Sequence, residues 1–252
     1  MQKQAFFDAM EAIAPQALAM DYDNPGLIVG MEGQEINRVL VALDCTVQVA
    51  DEAKSLGCDL VLTHHPLLFS AVKKLAPEDP VTAPVWRLIK YGVGMFAAHT
   101  NLDAAEGGVN TVLCRLLGIE NEQPVPPDMI CRVGELKEQM SFAAFAEGVE
   151  RILNTKVRIS GEERIVKRVM VCGGSGGSEY PLAAAYGADV LVTGECRHNQ
   201  AIEAAAAGVN VIVAGHYETE SIVLTPLIEA LRKRTEGVEY ILSKSGTPLR
   251  SL

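Results

Sequence analysis

Short apolar runs rich in valine and leucine alternate along the chain with alanine-rich stretches whose apolar residues have helical spacing. RVLVAL at residues 38–43, DLVLT at 59–63 and GVGMFAA at 92–98 are three such runs. Continuous apolar runs of this length, separated by helical segments, are typical of buried parallel strands joined by helices. The pattern therefore predicts an α/β fold built on largely parallel sheets.

Two of these strands recur in the second half of the chain at a constant separation of 130 residues. RVLVAL at 38–43 matches RVMVCG at 168–173, and GCDLVLT at 57–63 matches GADVLVT at 187–193. Chance similarity between short valine and leucine strands is the alternative explanation. A repeated βαβ unit is nevertheless the signature of internal duplication, so we predict two similar small α/β domains.

The next strand of each half also repeats, because GVGMFAAHTNLD resembles GVNVIVAGHYETE. Aligning His99 with His216 requires a separation of 117 residues, which is smaller than that of the preceding strands. The first half therefore carries about thirteen additional residues after THH, within PLLFSAVKKLAPEDPVTAPV. Four prolines in this segment predict an ordered but irregular loop.

A proline-rich stretch, QPVPPD at residues 123–128, separates the two repeats. We place the domain boundary there, with an N-terminal domain at residues 1–126 and a C-terminal domain at 127–252. The first carries the THH and HTNLD motifs, and the second carries GGSGG, GECRHN and GHYETE.

Composition narrows the class of protein. The 252 residues are 48% hydrophobic with a formal net charge of −10, and a chain this acidic lacks the basic surface that binds nucleic acid. The six cysteines form no C-x-x-C pair, which suits reduced thiols in the cytoplasm. Asp8 and Glu11 interrupt the apolar residues of the N-terminus, which predicts an amphipathic helix and not a signal peptide, and no run is long enough to span a membrane.

Histidines and carboxylates follow the ends of three apolar runs. THHPLLF at residues 63–69 places His64 and His65 side by side, and His99 is followed by Asp103. In the second half His216 is followed by Glu220. Ligands collect at the carboxyl ends of the strands in open α/β sheets, because side chains leave the packed sheet there and can converge.

Imidazole and carboxylate together are the ligand mixture of Zn, Mn, Fe, Co or Ni. Adjacent histidines at a strand end can address two ions, and the carboxylates of Asp103 and Glu220 can bridge ions about 3.5–4 Å apart. In the alternative interpretation the histidines satisfy hydrogen bonds in the core and the acids cap helices. The number of coincident strand ends favours metal binding.

THHPLLF, AAHTNLDAA, VTGECRHN and AGHYETE together resemble the GTP cyclohydrolase 1 type 2 homologue family, also called Nif-three-like dinuclear-metal hexameric proteins. The resemblance runs from DYDNPGLIVG to GHYETE, which is most of the chain. It implies a two-domain α/β protomer, a toroidal homohexamer and two divalent metal ions per subunit, with the metal site in the crevice between the two domains. The residues that match the family's ligands are His64, His65, Asp103, His216 and Glu220.

The resemblance also implies that His99 is a proton-handling, catalytic group close to the metals, whereas the repeat alignment alone suggests a ligand. We follow the resemblance on this point. The chain departs from the family in two respects: Tyr22 stands where many relatives have tryptophan, and the long central insertion of larger members is missing. The DNPG segment after Tyr22 is most simply a turn, and only the resemblance implies that it faces the site.

Two further motifs are candidates for substrate binding. The amides of Gly173, Gly174 and Gly176 in GGSGG can form a nest for a phosphate group, although a tight turn between a strand and a helix explains the glycines equally well. Glu195, Arg197 and His198 in GECRHN occupy the position equivalent to THH, and a solvated loop is the alternative. The pattern around Cys196, in the same motif, is too unspecific to identify it as a nucleophile.

The residues favour metal-assisted hydrolysis, in which two ions activate a water molecule. The resemblance suggests a nucleotide or purine ring as the substrate, although phosphoester or amide bonds suit the same chemistry. The alternative is a non-catalytic hexameric scaffold or metal-handling protein. Binding of nucleic acid is disfavoured by the charge.

Overall fold

The computed structural model describes residues 1–249 of the chain and contains two compact units. The first comprises Met1–Ala105 and Leu224–Gly246, and the second comprises Glu106–Val223 with the C-terminal segment from Thr247. Each unit contains one sheet. The prediction of two α/β domains is therefore confirmed.

The first unit is built on a five-stranded sheet in the order β1-β4-β3-β2-β11. Strands β2, β3, β4 and β11 are parallel, and β1 pairs antiparallel with β4 at the edge. The strands are β1 (Gly26–Val29), β2 (Arg38–Ala42), β3 (Leu60–Thr63), β4 (Gly94–Ala97) and β11 (Glu239–Leu242). The helices are α1 (Lys3–Ile13), α2 (Val47–Leu56), α3 (Ala83–Tyr91), α4 (Thr100–Ala104) and α10 (Leu224–Arg232).

The second unit is built on a six-stranded sheet in the order β5-β6-β8-β9-β10-β7. Strands β8, β9 and β10 are parallel, and the other three pair antiparallel with their neighbours. The strands are β5 (Ile119–Pro124), β6 (Arg132–Ser141), β7 (Arg158–Ser160), β8 (Ile165–Cys172), β9 (Val190–Thr193) and β10 (Asn210–Val213). The helices are α5 (Val109–Leu116), α6 (Phe142–Leu153), α7 (Tyr180–Ala185), α8 (His198–Ala206) and α9 (His216–Glu220).

The duplication is visible in the hydrogen bonds at the starts of the strands. Asp59 Oδ2 accepts the backbone N–H groups of Asn37 and Arg38, and Asp189 Oδ2 accepts those of Lys167 and Arg168. Both sets are related by the separation of 130 residues that the sequence shows. The same separation relates the pairing of β2 with β3 to that of β8 with β9.

The third strand of the repeat has a different register from the one that the histidines suggest. The N–H of Ala98 donates to the carbonyl of Thr63, and the N–H of Ala214 donates to the carbonyl of Thr193. Ala98 and Ala214 are therefore equivalent, at a separation of 116 residues and not 117. The alignment of His99 with His216 is wrong by one residue, because backbone pairing and not side-chain identity sets the register.

The register also corrects the length of the added loop. The strand equivalences imply about fourteen additional residues in the first unit, one more than the histidines suggest. The connection from β3 to α3 spans residues 64–82, whereas the equivalent connection from β9 to α8 spans 194–197. Residues 64–82 contain turns and bends without a helix or strand, as the prolines predict.

The compact units differ from the domain boundary expected at residue 126. That position lies between β5 and β6, which pair in the same sheet, so residues 106–126 belong with the second unit. Residues 224–246 return to the first unit, because β11 pairs in parallel with β2. The last three residues of the expected second domain, 250–252, lie outside the described part of the chain.

The central parallel strands β2, β3 and β9 are buried on both faces, as their continuous apolar sequence predicts, whereas the edge strand β11 is partly exposed. The amphipathic N-terminal helix is also present, since Phe6 and Met10 of α1 are buried while Asp8 and Glu11 are exposed. Within residues 1–249, no helix has the length and apolar character required to cross a bilayer.

Replacing Asp59 or Asp189 with alanine should lower the free energy of unfolding by about 1–3 kcal/mol, because two backbone donors lose a charged acceptor in each case. Denaturant unfolding of each variant measures the change. Glu138→Ala, at an exposed position of β6, is the control for loss of one negative charge. Equal stability of all three variants would contradict the assigned role.

Candidate metal centre

The end of β3 directs two imidazoles to the carboxyl edge of the first sheet. The side chain of His64 is completely buried, and its Nδ1 lies 2.9 Å from the carbonyl oxygen of Ala98, at the end of β4. The N–H of His65 donates to the carbonyl of Leu43, at the end of β2. Because β3 lies between β2 and β4, the doublet is held by both neighbouring strands.

Carboxylates hold the other two imidazoles of the first unit. His65 Nδ1 lies 2.7 Å from Asp44 Oδ1, and His99 Nδ1 lies 2.7 Å from Asp23 Oδ1. Carbonyl oxygens and carboxylates only accept hydrogen bonds, so Nδ1 is the donor in His64, His65 and His99. A neutral imidazole that donates through Nδ1 keeps the lone pair of Nε2 for a metal ion.

These three imidazoles form one cluster. The ring centroids of His64 and His65 are 4.9 Å apart, and the ring of His99 lies 5.2 Å from that of His64 and 5.5 Å from that of His65. One ligand nitrogen from each ring lies within 4.8 Å of the others. Imidazoles this close repel one another when protonated, so the arrangement suits neutral rings around a cation.

Asp103 adds a carboxylate to this cluster from α4. Its Oδ1 lies 3.6 Å from His64 Nε2. Two ligands at about 2.1 Å from a tetrahedral ion are roughly 3.4 Å apart, so this spacing suits two donors to one metal ion. The spacing of His64 and Asp103 is therefore compatible with a shared metal ion.

The second unit carries a smaller cluster at the start of α9. His216 Nε2 lies 3.1 Å from Glu220 Oε2, four residues later on the same helix. His216 Nδ1 lies 3.4 Å from Glu195 Oε1, so the ring stands between two carboxylates. Glu220 is buried, and burial of a carboxylate costs desolvation free energy unless cations or hydrogen-bond donors compensate its charge.

Gly174 makes room for this second cluster. Its backbone has φ +61, and a Cβ placed there would lie 2.1 Å from Glu220 Oε1 and 3.3 Å from His216 Nε2. Only glycine adopts this conformation without strain and also leaves the space that the Glu220 carboxylate occupies. The glycine therefore serves close packing against the carboxylate.

The GGSGG loop does not present its amides as a phosphate nest. The N–H of Gly173 donates to Asn110 Oδ1, that of Gly174 to Thr219 Oγ1, and that of Gly176 to Thr193 Oγ1. Amides that donate within the protein are not available to an anion. The tight-turn interpretation explains these glycines, and the proposed substrate role of Gly173, Gly174 and Gly176 has no support from their hydrogen bonds.

The three polar residues of GECRHN lie in different surroundings. Glu195 faces His216 and accepts a hydrogen bond from the Ser175 hydroxyl at 2.6 Å. His198 begins α8 and lines a groove of about 460 Å³ beside β7, together with Cys196. Arg197 precedes α8, where its N–H donates to Gln200 Oε1. Of the three, only Glu195 contacts the His216 cluster.

Of the two carboxylates beside the histidines, Asp44 escaped the sequence interpretation, and Asp23 had a role at the site only through the family resemblance. Asp44 follows β2 by two residues, and the rule that ligands collect at strand ends would have found it. Asp23 was assigned to a turn, and it does accept the N–H of Asn24, but it also accepts hydrogen bonds from His99 and Thr100. No local pattern connects Asp23 with a histidine 76 residues away.

Asp23 is ionised in this environment. Burial by itself would raise the pKa of its carboxyl group, but hydrogen bonds from His99, Thr100 and Asn24 outweigh burial and hold the pKa well below the usual range of aspartate. Asp23 thus stays an acceptor for the Nδ1–H of His99 over the whole neutral range.

Comparison with known proteins places the whole chain in one group. The family model Duf34/NIF3 (NGG1p interacting factor 3) matches residues 1–248. The GTP cyclohydrolase 1 type 2 homolog of Clostridium perfringens is 33% identical over 253 residues, which cover 97% of each chain. A homologue with the same name from Streptococcus pneumoniae is 34% identical over 83% of this chain and 82% of the relative.

Solved structures agree with this grouping. HcgD from Methanocaldococcus jannaschii, crystallised in its reduced form, superposes with a TM-score of 0.87 at 29% identity, covering 97% of this chain and 98% of HcgD. A Bacillus cereus protein related to NIF3 superposes with a TM-score of 0.93 over 100% of this chain and 99% of that chain. Its identity of 23% supports the fold alone.

Gly174→Ala should weaken zinc binding, because the new Cβ would displace the Glu220 carboxylate. Gly187→Ala is the matched control, since Gly187 has φ +66 but no atom within 4 Å of the added Cβ. Both variants should lose about 1–2 kcal/mol of stability from the left-handed backbone, but only Gly174→Ala should also lose zinc affinity in a chelator competition. Equal zinc affinity of the two variants would contradict the role of Gly174.

Proposed function

Since this chain belongs to the Duf34/NIF3 family, we propose that it is a hydrolase that depends on two divalent metal ions. His64, His65, Asp103, His216 and Glu220 would together hold the ions. The observation that carries the proposal is the set of three imidazoles in the first unit, each with Nδ1 bound to an acceptor and with nitrogens within 4.8 Å of one another.

The residues present fit such ions in number and type. Imidazole nitrogen and carboxylate oxygen are ligands of Zn, Mn, Fe, Co and Ni, and the spacing of His64 from Asp103 and of His216 from Glu220 suits donors that share an ion. When bound, such ions supply Lewis acidity and lower the pKa of a water molecule toward about 7.

His99 would move protons in the reaction. The Asp23 carboxylate fixes its Nδ1–H, so that Nε2 is the atom that accepts or donates a proton. The ring of Phe69 packs edge-on against that of His99, with centroids 5.9 Å apart, and limits rotation of the imidazole. The ring of His99 lies 5.2 Å from that of His64 and 5.5 Å from that of His65, so the proton would be moved beside the proposed metal ligands.

Cysteine chemistry is a poor alternative at this site. Burial raises the pKa of the Cys45 thiol, which is next to Asp44 in the chain, to about 12. Burial also raises the pKa of the less buried Cys196 thiol. Thiols with raised pKa values are weak nucleophiles near neutral pH, so these two cysteines are poorer candidates than the imidazole and carboxylate cluster.

The substrate would contain a planar ring. Several relatives are named GTP cyclohydrolase 1 type 2 homolog, and that name describes an enzyme acting on a purine nucleotide. Beside His99, Tyr22 and Phe69 form an edge-to-face pair with centroids 6.2 Å apart, and 63% of Tyr22 and 49% of Phe69 is exposed. Exposed aromatic faces next to a candidate catalytic group suit stacking on a heteroaromatic ring.

The aromatic pair is tied to the metal site. Asn24 Nδ2 donates to the carbonyl of Leu68 at 2.7 Å, which joins the loop of Tyr22 to that of Phe69. Asp23, between Tyr22 and Asn24 in the chain, binds His99. A ring stacked on this pair would therefore sit at a constant distance from His99.

We also propose the homohexamer that the family resemblance implies, together with a rival function for it. In the rival, the metals hold the assembly together or are passed on, without turnover. Native mass spectrometry with and without chelator separates the two. A ring that dissociates on metal removal, with no turnover of nucleotides, phosphoesters or amides, would favour the rival.

Removing a metal ligand should abolish hydrolysis. Asp103→Asn keeps the size of the side chain but removes its charge, and His64→Ala removes a buried nitrogen. Turnover in a screen of nucleotides, phosphoesters and amides should fall to background in both variants, while His198→Ala, a histidine outside the cluster, should retain it. Turnover that survives both substitutions, or complete removal of metal, would exclude this mechanism.

Removing the aromatic surface should weaken binding of a ring without loss of metal. Phe69→Ala should reduce the affinity for guanosine 5′-monophosphate roughly 5- to 150-fold, which corresponds to about 1–3 kcal/mol of stacking. Trp86→Ala, another exposed aromatic position in the first unit, is the control. Ribose 5-phosphate, which lacks the ring, should bind all three proteins equally in a calorimetric titration. An unchanged nucleotide affinity in Phe69→Ala would contradict the ring hypothesis.

A further inference from the structure

One carboxylate in each unit faces the Nδ1 atom of a predicted ligand histidine. In the first unit Asp44 Oδ1 lies 2.7 Å from His65 Nδ1. In the second unit Glu195 Oε1 lies 3.4 Å from His216 Nδ1. Neither carboxylate is among the five predicted ligands, and neither is explained by the fold, because both side chains are more than half exposed.

Glu195 is itself held in place. The hydroxyl of Ser175 donates to its Oε2 at 2.6 Å, which leaves Oε1 turned toward His216. Its backbone N–H donates to the carbonyl of Gly174, and its carbonyl accepts from Thr193 Oγ1. A side chain anchored at both its backbone and one carboxylate oxygen has little freedom to leave the histidine.

The duplication shows that the two carboxylates occupy different positions of the repeat. Thr63 Oγ1 donates to the carbonyl of His65, as Thr193 Oγ1 does to that of Glu195, so His65 and Glu195 are equivalent. Asp44 is equivalent to Gly174, which must lack a side chain to accommodate the Glu220 carboxylate. The imidazole and its carboxylate therefore follow β3 and β2 in the first unit but β10 and β9 in the second, which are different positions of the repeat.

We propose that Asp44 and Glu195 are positioning residues of the metal centre, and this inference rests on the proposed metal-dependent function. Each holds one imidazole in the tautomer that is protonated at Nδ1, so that Nε2 carries the lone pair and points to the metal. The same contact, arrived at independently in each unit from a different position of the repeat, is the observation that assigns the role.

The physical effect is orientation. A neutral imidazole carries one N–H, and a carboxylate at Nδ1 favours the tautomer and the ring rotation that place Nε2 toward the ligand site. Without that acceptor the ring can populate the other tautomer, whose Nε2 cannot bind a metal. Losing such a partner typically lowers metal affinity 10- to 100-fold.

The test uses the full-length protein, with zinc as the probe. Asp44→Ala and Glu195→Ala should each bind zinc 10- to 100-fold more weakly than the unmodified protein in a competition with a chromogenic chelator. Asp44→Asn and Glu195→Gln retain an oxygen that accepts from Nδ1, so they should recover most of this affinity. Glu32→Ala in the first unit and Glu138→Ala in the second are exposed controls that each remove one negative charge.

A second measurement separates orientation from simple loss of charge or of structure. Two-bond ¹H–¹⁵N correlation spectra of the metal-free protein report which nitrogen of each histidine is protonated. His65 in Asp44→Ala should shift from the Nδ1–H tautomer toward a mixture, while His64 keeps the Nδ1–H form because its acceptor is the Ala98 carbonyl. His216 in Glu195→Ala should gain the Nε2–H tautomer, because the Glu220 carboxylate 3.1 Å from Nε2 then acts on the ring without the opposing Glu195 carboxylate.

Two results would overturn the positioning role. One is zinc affinity within twofold of the unmodified protein in both alanine variants, and the other is an unchanged tautomer of His65 and His216. Failure of the unmodified protein to bind any divalent ion would instead refute the proposed function. The spectra of the metal-free protein distinguish the two cases, because they do not depend on zinc.

Discussion

A histidine presents a defined nitrogen to a metal ion when an acceptor binds the N–H of its other ring nitrogen. The first unit supplies such an acceptor to each of its three imidazoles. The acceptors come from three places: the carbonyl of Ala98 after β4, the Asp44 carboxylate after β2, and the Asp23 carboxylate in the loop before β1. Parallel pairing brings the ends of β2, β3 and β4 side by side. The sheet register therefore determines which acceptor each imidazole of the THH doublet meets.

Duplication explains why the two units share a plan but not a set of ligands. The aspartates that bind the strand-initiating amides, Asp59 and Asp189, occur in both units, because each satisfies two backbone donors at the start of a strand. At the carboxyl ends the constraint is weaker, since side chains there leave the packed sheet. Substitution at those ends could thus replace a histidine with Glu195 and an aspartate with Gly174 without disturbing the strands.

The strands, the duplication and the predicted ligands were accessible from the sequence, because apolar runs and chemically distinctive residues mark them locally. What was missed depends on contacts between distant residues. The return of β11 to the first sheet is a pairing with β2 about 200 residues away, and no periodicity reveals it. The histidine alignment failed because His99 precedes α4 whereas His216 is the first residue of α9, so identical side chains hold positions one residue apart.

A glycine-rich loop between a strand and a helix can bind an anion or can simply pack tightly, and the GGSGG loop does the second. In an anion site, glycines expose amides to a ligand, but here the amides of Gly173, Gly174 and Gly176 are consumed by Asn110, Thr219 and Thr193. The absent side chain at position 174 is what matters, since the Glu220 carboxylate fills its space. Recognition of a phosphate would then have to rely on other donors. For the substrate proposed above, the features beside the histidines that would hold it are the imidazole and carboxylate donors and the exposed rings of Tyr22 and Phe69, which suit a planar ring and not a phosphate group.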